Sequence, residues 1–376
     1  MHYIKRGEVA KRPHLDLPEG SFEEELGLQG FFGPVAHIYH RNPPTGWSDL
    51  KMADFQWPQK IEVEAPSLRP QCFRSLKEEK PSGFFEAYRC FFFNDDIEIG
   101  GIRSTKESPV FFRNADASEV YFCHSGSGRL ESVFGELSFK KADYIFIPKG
   151  TTYRFRFSEE VYLLRIQSFG EDLKKPEMGI LGRQALYHEE SIRIPELMKN
   201  ISNESSRVWV QSQMKLNEIV YPFSVLDVVG WCGDFYPFAL SMNDIAPAMS
   251  PVAHLPPSIN STFLNSDFVI CTFLPRPLEE PEGALKVPFY HSNIDYDEVI
   301  FYHDGDFFSR DHMEAGYTSF HPRGINHGPH PKALKNQSKM KRTEEMAVMV
   351  DTKRPLKVNQ WARSIEEKDY WKSWKA

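Results

Sequence analysis

Cysteine is scarce in this chain, and what there is does not pair. The five residues are Cys72, Cys90, Cys123, Cys232 and Cys271, an odd number with no Cys-x-x-Cys spacing. That excludes a disulfide framework and predicts reduced thiols in a cytoplasmic protein. Long apolar runs are also missing. No stretch approaches the roughly 18 residues of a membrane-spanning helix, and the opening Met1-His2-Tyr3-Ile4-Lys5-Arg6 has no apolar centre of the kind a secretory leader needs. Positive charge is in deficit, with 45 Lys and Arg against 52 Asp and Glu. A net charge of −7 argues against nucleic acid as a partner, because phosphate binding requires a concentrated basic surface. The one basic run, 335–342, reads as a solvated loop.

Helix signals are few as well. Only 189–201 and 364–375 read as helices, and 275–287 is a polar, Pro-rich loop. What the chain has in abundance is aromatic side chains, with 30 Phe, 15 Tyr and 7 Trp, which favour sheets. Short apolar and aromatic runs recur between Gly, Pro, Asn and Asp. The runs 84–93, 119–123, 144–147, 161–166, 268–273 and 299–302 are predicted strands. The class is therefore mostly β, and 376 residues suffice for two domains with buried cores.

One segment carries chemistry. It reads His291-x6-Glu298-x6-Gly305, then Gly316-x5-Pro322-x-Gly324-x2-His327. Two imidazoles and one carboxylate are the ligand set of a mononuclear non-haem Fe(II) centre, which leaves positions open for O2 and a substrate. The spacing matches the two motifs of the cupin β-barrel. Period-two alternation puts Glu298 and Asp297 on opposite faces of one strand, so Glu298 is the predicted ligand. The alternative is a buried Glu paired with Arg or Lys, since a lone buried carboxylate is costly. His303, His312 and His330 read as loop or locally bonded histidines, whereas His321 is placed to orient a ligand or touch substrate.

The pattern repeats. Glu119-x6-Gly126 echoes Glu298-x6-Gly305, and Ala142-x5-Pro148-x-Gly150-x2-Tyr153 echoes the second motif. Two cupin-type (jelly-roll) barrels from a duplication follow. In the first copy Phe112 and Tyr153 stand where His291 and His327 stand in the second, so the first barrel is predicted to be metal-free. The expected division is 1–80 as a segment packing on the first barrel and 81–200 as that barrel. The catalytic barrel follows at 201–350, and a tail with a helix at 351–376. Residues 1–80 carry no motif that reads chemically.

At this point the chain resembles the homogentisate 1,2-dioxygenase family. The resemblance rests on Phe289-Tyr290-His291-Ser292-Asn293, the Glu298-x6-Gly305 spacing, and His321 through His327-Gly328-Pro329. It extends to Asp227-Val228-Val229-Gly230-Trp231, Tyr236-Pro237-Phe238, Ala253-His254 and Pro275-Arg276. The resemblance implies His291, Glu298 and His327 as ligands to one Fe(II) per chain in the C-terminal barrel. It implies His254 as the acid–base histidine, and Tyr290, Phe307, Arg310, His321 and His327 as residues in contact with substrate. Phe307 stands where the family has a substrate-binding tyrosine, Arg310 where it has a lysine, and Cys232 where it has a histidine. The implied partners are a small aromatic acid and O2, within a homo-oligomer, and the implied reaction is homogentisate to maleylacetoacetate in tyrosine breakdown. A gentisate-type dioxygenase is the alternative that Phe307 and Cys232 leave open; a non-redox metal-dependent cupin isomerase or binding protein is a further one, against which the intact His291, Glu298 and His327 set weighs.

Overall fold

Strand-forming residues in this chain alternate between two buried faces, and that alternation builds the molecule. A computed structural model describes residues 2–75, 83–175, 186–310 and 312–374. In the strand Ser118–Ser125, Glu119, Tyr121 and Cys123 point into a first barrel, while Val120 and Phe122 point into a second layer of core. In Asp297–Asp304, Ile300 and Tyr302 point into a second barrel, and Val299 and Phe301 into that same shared layer. Both strands are buried nearly throughout, which is why they read as near-continuous apolar runs.

The first barrel is closed by two seven-stranded sheets. One carries Asp143–Ile147, Ser118–Ser125, Val161–Ser168, Ile97–Ser104 and Tyr88–Phe93 side by side; the other carries Ser127–Ser132, Thr152–Arg156, Phe111–Asn114, Ser206–Ser212 and Lys215–Tyr221. The second barrel has one six-stranded sheet, in the order Ser261–Leu264, Phe268–Phe273, Met346–Thr352, Asp297–Asp304, Thr318–His321, Gln71–Phe73. Its opposite wall is mostly loop, apart from the pair Arg276–Pro277 with Arg342–Thr343 and a bridge between His291 and His327. The architecture is two cupin-type barrels packed sheet against sheet, and the largest apolar cluster lies between them.

The duplication is visible in the backbone. Gly126 and Gly305 both have positive φ, as do Ala142 and Gly316, and Gly150 and Gly324. At Gly126 an added Cβ would lie 2.5 Å from the Glu160 carbonyl, and at Gly305 it would strike the Glu344 carbonyl. Gly126 and Gly305 are thus required by a neighbouring backbone that passes too close for any side chain. Equivalent residues also meet across the shared layer. His124 Nδ1 lies 2.9 Å from His303 Nδ1, and each ring packs edge-on to the other copy's phenylalanine, Phe301 or Phe122. His303 is therefore a long-range contact in the core, not a loop histidine bonded locally. Burial holds His124 down to about 4 and His303 to about 3, so both are neutral at pH 7.

Four expectations need correction. Residues 206–241 pair into the sheets of the first barrel and of the N-terminal region, so the boundary set at 200/201 falls too early. Residues 1–80 do not pack on the first barrel alone. Asp49–Met52 joins its outer sheet, Phe22–Gln29 and Phe32–His40 form a separate sheet with Val228–Gly233, and Gln71–Phe73 joins the second barrel. Residues 189–201 hold only a 3-10 turn, Glu189–Ser191. Beyond it Arg193 and Glu196 bond to Ala239 and Glu136 along sheet edges, with Pro195 between them unable to donate a helical hydrogen bond. Near the C-terminus, Gln360–Ser364 and Tyr370–Trp374 are short helical turns in place of one helix over 364–375; Lys375 lies outside the described residues.

Candidate metal centre and adjoining pocket

Glu298 enters the barrel from the strand Asp297–Asp304, while Asp297 turns to the other face. There Asp297 Oδ1 accepts from Arg323 N at 2.8 Å and Oδ2 from Leu356 N at 2.7 Å, so it is fully engaged away from the site. His291 and His327 lie on opposite loops, joined by reciprocal backbone hydrogen bonds of 2.9 Å. Each imidazole is fixed from behind: His291 Nδ1 donates to Phe289 O and His327 Nδ1 to Ile325 O, both at 3.0 Å. A carbonyl can only accept, so Nδ1 carries the proton and Nε2 is left with a lone pair. Both Nε2 atoms lie 3.8 Å from the same oxygen, Glu298 Oε2.

The other oxygen, Oε1, lies 2.6 Å from His321 Nδ1, and the His321 ring stacks on His327 at 4.8 Å. His321 thus orients the carboxylate and braces a second ligand, the indirect role that metal centres commonly require. Burial pushes Glu298 upward, but its hydrogen bond with His321 and the nearby His291 and His327 rings outweigh it and hold the carboxyl well below its usual range. The adjoining Glu298 carboxylate raises His291, while burial lowers His321 to about 4. His327 Nε2 is buried with no hydrogen-bond partner among the described residues. An orphaned imidazole lone pair beside an ionised carboxylate fits a divalent cation.

Of the three candidate ligands, His291 and Glu298 line a pocket with about 720 Å³ of empty space, mouth included. Its lining includes Phe273, Ile300 and Phe308, with His254, Arg276, Arg310 and Glu345 as polar groups. His254 Nδ1 lies 2.9 Å from Glu279 Oε1, both side chains being almost fully buried. Burial lowers the His254 pKa and Glu279 opposes that shift. Arg310 Nη1 donates to Gly328 O at 3.0 Å, which ties it to the turn after His327, while its Nε has no partner. Glu345 is raised by burial, with Arg310 and Arg276 acting against it.

Several predicted residues lie elsewhere. Phe307 does not line the pocket; it packs at 4.9 Å on Tyr302 in the barrel core, and Phe308 takes the lining position. Tyr290 is 57% exposed, with its ring against Gly328, and is outside the pocket lining. Cys232 is in the N-terminal sheet, paired with Lys5 and His37, so its departure from the family pattern has no bearing on this pocket. Most of the phenylalanines fill the first barrel and the layer between barrels, and few dry the pocket. Arg276, Glu279, Glu345 and Asp351 were not expected here. Asp351 faces Glu298 across adjacent strands and is raised to about 8 by burial and by that carboxylate. Pairing with Glu298 could have signalled Asp351; nothing local marks the other three.

The first barrel shows what replaces the metal. Arg165 Nε and Nη2 lie 2.8 and 2.5 Å from Glu119 Oε1, and Tyr153 OH donates to Oε2 at 2.7 Å. The guanidinium is enclosed by the rings of Trp57, Tyr88, Phe112 and Tyr121. Arg165 sits two residues before Gln167, the partner of Glu119, as Met349 sits two before Asp351, the partner of Glu298. The second barrel lacks the arginine, and its carboxylate is free to bind a cation.

Comparison with known proteins agrees with this arrangement. A family model described as homogentisate 1,2-dioxygenase N-terminal matches residues 102–242, and its C-terminal counterpart matches 238–376. A protein of Saccharolobus solfataricus, provisionally named a dioxygenase, is 33% identical across 99% of this chain and 98% of its own. The homogentisate 1,2-dioxygenase of Rhodopseudomonas palustris strain HaA2 is 26% identical over 70% of this chain, which spans only 62% of that enzyme's length. A cupin 2 conserved barrel domain protein from Leptotrichia buccalis aligns at a TM-score of 0.39 and 11% identity, over 79% of this chain and 100% of that one. With both halves matched and the two histidines and glutamate converging as its motifs require, the chain belongs to the homogentisate 1,2-dioxygenase family.

Proposed function

We propose that the protein is an Fe(II)-dependent dioxygenase that opens the ring of a hydroxylated aromatic acid, with homogentisate as the first candidate and maleylacetoacetate as its product. The observation that carries this reading is the convergence of His291 Nε2, His327 Nε2 and Glu298 Oε2 beside a mostly apolar pocket that His291 and Glu298 line. Two imidazoles and a carboxylate are the facial set used by non-haem Fe(II) oxygenases. When bound, the metal supplies Lewis acidity and a redox centre at which O2 and a ring oxygen meet.

The chain's own residues do the rest. His254 is neutral at pH 7, and the Glu279 carboxylate 2.9 Å from its Nδ1 favours the proton on that nitrogen by charge, which leaves Nε2 as the acceptor for a ring hydroxyl proton. Arg310 receives the substrate carboxylate, because its Nε has no protein partner and a guanidinium matches a carboxylate fork. Phe273, Ile300 and Phe308 exclude water from the ring. His321 keeps Glu298 from rotating while substrate enters.

The test is anaerobic reconstitution with Fe(II), followed by O2 uptake with homogentisate and detection of maleylacetoacetate, with His291→Ala as control. Uptake and product that vanish in the variant are expected. Uptake with gentisate alone would move the substrate and keep the chemistry. Turnover of any substrate with Zn(II) and without O2 would overturn the oxidative reading.

A further inference from the structure

We infer a second divalent-metal site, remote from the pocket, on the N-terminal hairpin, formed by His14, Glu23 and His37. The hairpin pairs Phe22–Gln29 with Phe32–His40, and its register sets Glu23 opposite Tyr39 and Glu25 opposite His37. Alternation puts all four side chains on one face. His14 drops over that face from the preceding turn, held at a φ of 62°. Positive φ is uncommon for a residue other than glycine, and here it is fixed by two contacts to one carboxylate: His14 N and Nδ1 lie 3.1 and 2.9 Å from Glu23 Oε2.

The donor atoms suit one cation. His37 Nδ1 lies 3.1 Å from Glu23 Oε1, and the two imidazole centroids are 5.4 Å apart at 62°. One ligand atom from each of the three residues falls within 4.8 Å of the others. A tetrahedral centre with bonds of about 2.0–2.2 Å sets its donors roughly 3.3–3.6 Å apart, so these hydrogen-bonded contacts of 2.9 and 3.1 Å open by only a few tenths of an ångström when a cation replaces the shared protons. Supporting groups are present as well. Tyr39 OH donates to Glu23 Oε1 at 3.0 Å, and Glu25 Oε2 lies 3.3 Å from His14 Nε2. When the cation takes the Nδ1 lone pair, the His14 proton moves to Nε2 and faces Glu25, the carboxylate–histidine–metal arrangement that fixes ligand orientation.

Charge points the same way. The only ion-pair partners of Glu23 and Glu25 among the described residues are histidines, so two carboxylates on one face lack a permanent cation. A divalent ion balances them. Mixed imidazole and carboxylate donors select Zn(II) or its first-row neighbours over Mg(II) or Ca(II). These residues precede both family-model matches, which begin at residue 102, so the site is separate from the family's chemistry. Its role is a clip that holds the segment before the hairpin against the sheet.

The test counts metal. The full chain, stripped by chelator, is equilibrated with excess Zn(II), gel-filtered and analysed for zinc per chain, alongside His14→Ala, Glu23→Gln and His291→Ala. His14→Ala and Glu23→Gln should each hold one ion fewer than the parent chain, while activity after Fe(II) reconstitution matches the parent. His14 is largely exposed, so its removal disturbs no core. His291→Ala should lose a different ion, which the combined His14→Ala and His291→Ala variant shows by losing both. If His14→Ala and Glu23→Gln hold as much zinc as the parent chain, there is no site.

Discussion

Replacing Arg165 with Met installs in the first barrel the residue found at the equivalent point of the second, Met349. The native guanidinium and the Glu119 carboxylate are 2% and 1% exposed, so water cannot take over when one partner is lost. Deleting one member of a buried pair generally costs about 3–5 kcal/mol. Tyr121 OH and Tyr153 OH remain as donors to Glu119, at 3.1 and 2.7 Å, and offset part of the loss. The expected destabilisation is therefore at the lower end, about 3 kcal/mol by the same rule. Urea unfolding followed by tryptophan fluorescence is a suitable assay, because Trp57 lies beside the guanidinium. Glu119→Gln alone should also destabilise, by leaving the guanidinium unpaired. Arg165→Met with Glu119→Gln should lose less than the sum of the singles, with a coupling of roughly 1–3 kcal/mol. A loss below about 1 kcal/mol for Arg165→Met, or strictly additive singles, would refute the claim that this ion pair replaces a metal as the barrel's internal tie.

The converse change, Met349→Arg, should pair the new guanidinium with Glu298 and weaken Fe(II) binding about 100-fold, since 3 kcal/mol corresponds to about two decades; chelator competition would show it. The His124–His303 pair predicts acid sensitivity. Both are lowered by burial, so their stabilising contribution is present above about pH 6.5 and is lost as pH falls toward about 4. Between pH 6.5 and 5 each costs about 2 kcal/mol, and His303→Phe should flatten the acid limb of a stability–pH curve; an unchanged limb would count against it. His254→Gln should lower kcat by about 10²–10⁴ while leaving metal content unchanged, measured by O2 uptake and elemental analysis. His321→Phe should weaken metal affinity by about 10–100-fold through loss of its hold on Glu298 Oε1, whereas an affinity equal to the parent chain's would make His321 a packing residue only.

The ligand set was legible because it depends on local rules. The period of two that separates Glu298 from Asp297, and the glycines that let neighbouring strands pass, are written in adjacent residues. The same rules made the duplication readable, since Gly126 and Gly305 answer one steric demand in two copies. Reasoning from family pattern alone placed Phe307 at the substrate. It is buried in a packing role, because a motif position fixes sequence register and does not fix which side chain reaches a cavity.

What the sequence determined by itself was the class of fold, the twofold repeat, the three residues that meet as a candidate metal-binding group, and the absence of such a set in the first copy. Only the tertiary structure decided the remainder. Arg165 meets Glu119 across 46 residues, His124 meets His303 across 179, and Gln71–Phe73 completes a sheet whose other strands lie beyond residue 260. Arg276 and Glu345 reach one pocket from separate segments, Glu279 backs His254 beside it, and His14 reaches Glu23 through a left-handed turn. Such contacts are set by barrel closure and by the packing of one barrel on the other, and no spacing between neighbouring residues encodes them.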